Sequence, residues 1–377
     1  MNFALTKEQK MLQKSIRQYI KKKCPNSLVK ELAASEKGYS PELWKEMAEL
    51  GWMGLVFPDE YEGSNFSFFD LVLFFEEMGY NICPGPLFST LVLSGLPILN
   101  YADNKLKSEI LPQISTGEII LTMAVTEENA DYIPSSIKTS AIKEGDEYII
   151  NGTKLFVNDA HVSDYILCVA RTDETPNPED GVTLFMVNAK TPGVEISLMK
   201  NVTLEKPCEV KFENVKVPAK NIIGKLNNGW MIVNDTIEKA ALVKSAEMIG
   251  GARGTMDLAL QYAKERVQFQ RPIGSFQAVQ QHFANMWLGI NGCRDLVYLA
   301  ASKTAKGEHA EKEIAMAKAR TGKIFREVTT LGHQIFGAIG YTMEHDMHLY
   351  RRQALSGDIT FGNTYSQLDK IAVSLGL

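Results

Sequence analysis

Apolar residues recur at spacings of three and four through Glu8–Ile20, Pro41–Leu50 and Phe69–Met78, the period of a helix with one buried face. Thr6 stands ahead of Glu8 and Gln9, and Ser40 ahead of Pro41 and Glu42. Both have the oxygen that caps a helix start, followed by acidic residues that suit its positive end. Between two of these helices GWMGLVFPDEYEGS is a short apolar run closed by Pro58 and Gly63, which reads as a turn-rich connector. From about Ile119 the period falls to two and the residues become β-branched. IILTMAV, EYIING, YILCVAR, GVTLFMVNA, GVEISLM and EVKFENVKV, separated by Gly, Pro, Asn and Asp, predict the strands of a compact all-β segment. Thr172–Gly181, TDETPNPEDG, is expected as its exposed loop. After Gly224 the helical period returns, predicting helices over Met231–Ile249, Gly254–Val267, Phe276–Lys306 and Lys312–Phe336.

Composition narrows the class. With 377 residues, 45% of them hydrophobic and 23% charged, the chain reads as a globular protein of two or three domains. A net charge of −5 leaves no basic excess to neutralise a phosphate backbone, so nucleic acid is not expected as a partner. The five cysteines are odd in number and never in a CxxC pair, which favours a reducing compartment over disulfides or structural zinc. The N-terminus mixes charge into its apolar positions, unlike a signal peptide, and a cytoplasmic location is expected. Gly79–Ala102 carries no charge, but Pro84, Pro86 and Pro97 interrupt it. A buried helix or loop is expected there, with no membrane span.

Several motifs are absent. No GxGxxG follows a predicted strand, and GxxxxGK[ST] and GxSxG do not occur, so Rossmann, P-loop and nucleophile-elbow chemistry lack support. Glu344-His345-Asp346-Met347-His348 puts two imidazoles three residues apart, as metal ligands could be on one helix face. Without an HExxH order or a third ligand cluster, no metal is expected.

Three segments carry more. AVTEENADYIPSSIKTSAIKEGDEYIINGTKLFVNDAHVSDYILCVART lies at the helix-to-sheet transition. RVQFQRPIGSFQ, Arg266 to Gln277, closes one long helix and opens the next. QIFGAIGY, Gln334 to Tyr341, ends another. With the α, β, α order, these segments resemble the acyl-CoA dehydrogenase family of flavoproteins over nearly the whole chain.

The resemblance implies an α+β multidomain fold: an N-terminal all-α domain (1–120), a middle β-barrel (121–225) and a C-terminal four-helix bundle (226–377), with FAD between barrel and bundle. It implies flavin contacts from Val125, Thr126, Phe156, Asn158 and Thr364. Phe156 and Asn158 stand where the family has tryptophan and threonine, and an amide can still donate a hydrogen bond. Arg266, Gln268, Phe269 and Gln277 match positions that reach a neighbouring subunit's FAD, a guanidinium being suited to pyrophosphate. Gln334, Gly337 and Gly340 match the cross-subunit adenosine site. A homo- or hetero-oligomer follows. Read alone, Arg266 is equally a solvated charge in a last helical turn. Glu127-Glu128-Asn129-Ala130-Asp131-Tyr132 lacks the glycine and serine that the family has in that loop.

Dehydrogenation between Cα and Cβ of a thioester needs a carboxylate for the α-proton. The family's usual glutamate is matched by Gly362 within Phe361-Gly362-Asn363-Thr364, and its second location, on the bundle helix, by Lys244. Glu247 follows three residues on, about 60° around and roughly 4.5 Å along a helix. It is the candidate base; a glutamate paired with Lys244 at the helix surface is the alternative, and Asp358 the next candidate. The stretch Gly340–Arg352 resembles a branch handling bulky, cyclic or dicarboxylic acyl-CoA thioesters, and Gly362 reads as a space-making change. The resemblance implies an acyl-CoA dehydrogenase passing electrons to an electron-transferring flavoprotein. A non-catalytic subunit that lends FAD contacts to a partner, and an enoyl-CoA reductase, are the other readings.

Overall fold

The computed structural model describes residues 5–377; residues 1–4, the start of the stretch read against a signal peptide, lie outside them. The first third holds α1 (Lys7–Lys23), α2 (Asn26–Ala34), α3 (Pro41–Glu49), α4 (Phe68–Tyr80), a π-helical stretch Phe88–Gly95, α5 (Leu96–Tyr101) and α6 (Asn104–Ser115). The middle holds β1 (Leu121–Ala124), β2 (Ser140–Glu144), β3 (Glu147–Asn158), β4 (Tyr165–Arg171), β5 (Val182–Asn188), β6 (Val194–Leu198), β7 (Pro207–Pro218) and β8 (Ile222–Ile223). Then come α7 (Gly229–Glu265), a hairpin of β9 (Val267–Gln268) and β10 (Arg271–Pro272), α8 (Gln277–Ala305), α9 (Glu311–Phe336), α10 (Met347–Ile359) and α11 (Thr364–Ser374). The α, β, α order and the fold class stand as expected. No helix among the described residues is long and apolar enough to cross a membrane.

The caps act as their chemistry requires. Thr6 accepts from the Gln9 amide while Gln9 accepts from the Thr6 amide, a reciprocal box that satisfies two orphan donors. Ser40 accepts from the Leu43 amide, with Pro41 at the first helical position. The uncharged stretch after Gly79 becomes the π-helical segment and α5, with Leu91, Val92 and Ile98 buried.

Two expectations change. The predicted helices on either side of Gly250-Gly251 are one 37-residue helix, α7, because the glycines there admit a neighbouring backbone and do not end the helix. A Cβ on Gly250 would lie 1.9 Å from the Glu76 carbonyl oxygen. Strand β2 is additional: of SAIKE only Ala141 is buried, too little alternation to read as a strand.

Residue contacts divide the chain into two compact units. One comprises Leu32–Phe66 and Pro84–Ala240 and contains the sheet, in the order β6-β7-β3-β2-β4-β5-β8 with β1 parallel to β4. The sheet curls far enough that Tyr148 of β3 and Phe185 of β5, with two strands between them, bring their rings to 5.1 Å. Ile150, Ile166, Cys168, Val210 and Phe212 fill the core. The ends β6 and β8 do not pair with each other among the described residues, so the expected barrel has an open seam.

The other unit comprises the described part of Met1–Glu31, Ser67–Cys83 and Ala241–Leu377. Glu76 and Glu77 of α4 are buried there and paired. Arg17 grips Glu77 with two bonds of 2.7 and 2.6 Å, while Glu76 takes Arg253 at 2.6 Å and the Tyr298 hydroxyl at 2.8 Å. Buried carboxylates persist only with such partners.

Candidate active site and cofactor contacts

In the sheet-bearing unit, β1 runs directly into Val125 and Thr126, both buried. Thr126 Oγ1 donates to the Leu155 carbonyl at 2.6 Å, and the Leu155 amide returns a bond to the Thr126 carbonyl at 2.9 Å. The Val125 carbonyl accepts from the fully buried Lys154 Nζ at 3.1 Å. Lys154 also pairs with Glu127 at 2.7 Å. Burial alone would raise the Glu127 carboxyl, but the Lys154 charge and the amides of Thr139 and Lys138 outweigh it and hold the pKa low. Glu127 is thereby spent on fixing this loop. Beside it a cleft of about 390 Å³ is lined by Glu128, Asn129, Lys138 and Leu155 among others.

Between Lys154 and Val157 the β3–β7 register shifts. Phe156 sits in that bulge with φ +57° and its ring 51% exposed. A left-handed backbone at a bulky residue is costly and marks a site where a side chain is deliberately re-aimed. Asn158 accepts from Thr122 through its carbonyl at 2.7 Å, and its carboxamide makes no hydrogen bond among the described residues. A free ring beside a free amide donor fits a flat, hydrogen-bonding cofactor.

In the helical unit, Phe269 and Gln270, both left-handed at φ 51° and 65°, turn the tight hairpin between β9 and β10. Arg271 stacks on Phe276, 4.1 Å from its centroid. Arg266, Gln268, Phe269 and Gln277 all remain exposed, and the Arg266 guanidinium has no partner among the described residues. The rings of Tyr262 and Phe336 are 4.6 Å apart, which brings the Arg266 segment to the same end of the bundle as Gln334, Gly337 and Gly340. Gln334 and Gly337 are exposed and Gly340 is buried. Nothing lies within 4 Å of where a Gly337 Cβ would be. Unpaired guanidinium and carboxamide donors around open backbone are a donor set that fits a dinucleotide diphosphate.

Thr364 lies apart from that group. Its hydroxyl donates to Asp358 at 2.6 Å, and it lines a cleft of about 740 Å³ with Lys323, Arg326 and Arg351. The sequence reading missed these three cations, because each looks like a solvated charge on a helix until α9, α10 and α11 converge.

Glu247 is neither a free surface glutamate nor alone. Its carboxylate is 2.6 Å from Lys244 Nζ and accepts from Gln353 Nε2 at 2.7 Å. Lys244 and Gln353 are buried, while the Glu247 side chain keeps 16% exposure. The Lys244 pairing, given above as the alternative to a base, is present, but in the interior and not at the helix surface. The carbonyl oxygen of Gln353 is buried with no hydrogen-bond partner among the described residues. Gly362 proves to be conformational in role. Its φ is +95° and a Cβ would meet Gln367 Nε2 at 2.4 Å. Asp358 is committed to structure: Arg326 and Thr364 hold its carboxylate against burial, and its pKa is lowered. In the His345 segment, the His345 ring packs on Phe336 with centroids 4.2 Å apart, and its Nδ1 accepts from the Met347 amide. Asp346 pairs with Lys30 at 2.7 Å.

The three segments match the family models for the N-terminal (6–118), middle (122–215) and C-terminal (227–376) domains of acyl-CoA dehydrogenase. The chain belongs to the acyl-CoA dehydrogenase family: it is an FAD-dependent oxidoreductase. It is 30% identical to the acryloyl-CoA reductase (NADH) of Anaerotignum propionicum, over 99% of this chain and 95% of that one. It is 34% identical to a 3-(aryl)acrylate reductase of Clostridium sporogenes, over 83% and 84%. The solved butyryl-CoA dehydrogenase of Megasphaera elsdenii superposes with a TM-score of 0.93 at 29% identity, with both chains fully covered.

Proposed function

We propose that this protein exchanges two hydrogens across the Cα–Cβ bond of an acyl-CoA thioester, with Glu247 as the group that moves the α-proton. The observation that carries this reading is the buried Lys244–Glu247–Gln353 cluster of α7 and α10. It unites a carboxylate, an orienting amide and an unpartnered acceptor in a chain whose three segments all match the family. FAD, when bound, supplies the acceptor for the hydride. Glu247 takes the proton from Cα, and Lys244 and Gln353 fix its orientation, as a positioned base requires. Phe156 and Asn158 would pack on and bond the flavin, with Val125 and Thr126 beside them. Arg266, Gln268, Phe269, Gln277, Gln334, Gly337 and Gly340 would hold a second subunit's dinucleotide, and Thr364 its own. The segment boundaries 1–120, 121–225 and 226–377 accompany this reading.

The relatives favour a second direction. Two of those reported above are reductases, and the same carboxylate, protonated, returns a proton to Cα when an enoyl thioester is reduced. In the oxidative direction an electron-transferring flavoprotein is the proposed acceptor. The acyl group is proposed to be bulky from the likeness of Gly340–Arg352 alone, since the left-handed turn accounts for Gly362 without it. Anaerobic mixing with a panel of acyl-CoA and enoyl-CoA thioesters separates the directions: acyl-CoA bleaches the oxidised flavin, enoyl-CoA restores the colour of the reduced one. Glu247→Gln should lower either rate by about 100-fold or more with flavin content unchanged. Wild-type turnover in that variant would remove Glu247 from the chemistry.

A further inference from the structure

Charge is spread unevenly along this chain. In α1, seven basic residues (Lys7, Lys10, Lys14, Arg17, Lys21, Lys22 and Lys23) stand against Glu8 alone, so the helix carries +6. The whole chain carries −5, which leaves −11 for everything else. The helical repeat sorts these charges onto one side. Lys7, Lys10, Lys14, Lys21 and Lys22 fall within an arc of about 120° and along roughly 22 Å of axis, opposite the buried Ile16 and Ile20. All five are exposed, and none has an ion-pair partner among the described residues.

The acidic residues that α1 meets lie on its other side. Asp70 accepts from Gln9 at 3.0 Å and Glu77 is gripped by Arg17. Both carboxylates are buried in α4, so neither neutralises the stripe.

Composition decides what such a face fits. Protein interfaces gather Trp, Tyr and Arg that lock into pockets, and their centres are poor in Lys. Besides the lysines this arc holds only Gln18 and Met11, the latter 71% exposed. A two-fold contact with a second copy would set the same cations against one another. The headgroups of an anionic bilayer make a different demand: they are laterally mobile and need no fixed register, which suits flexible ammonium groups acting as point charges. The apolar face of α1 is already spent on the core, so contact would stay at the level of the headgroups, without insertion.

We propose that the lysine stripe of α1 is a docking surface for an anionic lipid bilayer, which it holds reversibly and by charge alone. The five lysines face the headgroups, and the negative remainder of the chain limits how firmly the protein adsorbs.

The test uses the full-length, FAD-loaded protein and does not involve acyl-CoA turnover. The protein is co-sedimented with vesicles of phosphatidylcholine containing about 30% phosphatidylglycerol, and with vesicles of phosphatidylcholine alone. Binding is expected to the anionic vesicles only, and should weaken about tenfold or more between about 50 and about 500 mM salt. Lys10→Gln, Lys14→Gln and Lys21→Gln together should weaken it about tenfold or more, with flavin content and thermal midpoint unchanged. Lys105→Gln, Lys143→Gln and Lys312→Gln remove the same charge from exposed positions elsewhere, and this variant should bind as wild type does. No preference for anionic vesicles, or equal losses in the two triple variants, overturns the proposal. Tighter binding to soluble polyglutamate than to the vesicles would assign the stripe to an acidic protein and overturn it as well. The wild-type comparison of the two vesicle compositions does not depend on whether either variant folds.

Discussion

Lys318 shows how far one residue can depart from its sequence appearance. In KEIAMAKAR it resembles any solvated helix lysine, yet it is fully buried and its Nζ donates to the Asp358 and Gly362 carbonyls at 2.9 and 2.8 Å. Burial pushes its pKa down to about 7; the Asp358 charge opposes the shift and the Lys244 charge adds to it. The folded state therefore binds fewer protons than the unfolded one between about 7 and the ordinary 10.5. Stability contributed by this site rises with pH across that window and is lowest below it. The expected outcome is that the unfolding free energy of wild type minus that of Lys318→Met increases from pH 7 to 10. Urea titrations at stepped pH measure it, and a flat difference would contradict the buried assignment. Glu247 stands beside this case. Its helical offset from Lys244 was readable, but its inward pairing with Gln353 depends on α10, more than a hundred residues away in sequence.

At the scale of elements, the crossing of α4 and α7 rests on absent side chains. A Cβ on Gly79 would lie 2.0 Å from the Glu247 carbonyl oxygen, and one on Gly254 2.3 Å from that of Tyr80. Gly250→Ala should destabilise the protein by about 3 kcal/mol, because two backbones must separate to admit one methyl group. Chemical denaturation should show a lower midpoint with an unchanged slope; an unchanged midpoint would mean the helices are not held this closely. Gly250 and Gly251, read in sequence, fall in the gap between two predicted helices, where the structure has one. Helix propensity alone cannot tell a glycine that ends a helix from one that lets another helix approach, since the distinction lies in the partner backbone.

At the scale of the whole molecule, the residues proposed to contact the cofactor fall into groups that differ in exposure. Val125 and Thr126 are buried and internally bonded, whereas Arg266, Gln268 and Gln334 extend without partners. The latter group accords with contacts lent to another copy. Arg266→Ala combined with Gln334→Ala should reduce bound FAD several-fold while leaving the far-ultraviolet circular dichroism unchanged. Flavin absorbance per chain after size-exclusion chromatography reads the effect, and full occupancy would assign these residues to solvent. In mixed pairs with wild-type chains the flavin should move to the variant chain and leave the wild-type one, because only the site that faces wild-type donors keeps an intact set.

Periodicity and capping alone determined most of this protein: the α, β, α order, the helix starts at Thr6 and Ser40, and the strands from Ile119 onward. These are local properties, set by which face a segment must bury and which backbone groups its neighbours satisfy. The candidate cofactor residues were legible as motifs, but not their surroundings. The Phe156 bulge, the inward Lys244–Glu247–Gln353 cluster, the cations around Thr364 and the buried Lys318 were decided only by the tertiary structure. Each depends on residues distant in sequence, whose burial and mutual charge replace the solvent that would otherwise set their chemistry.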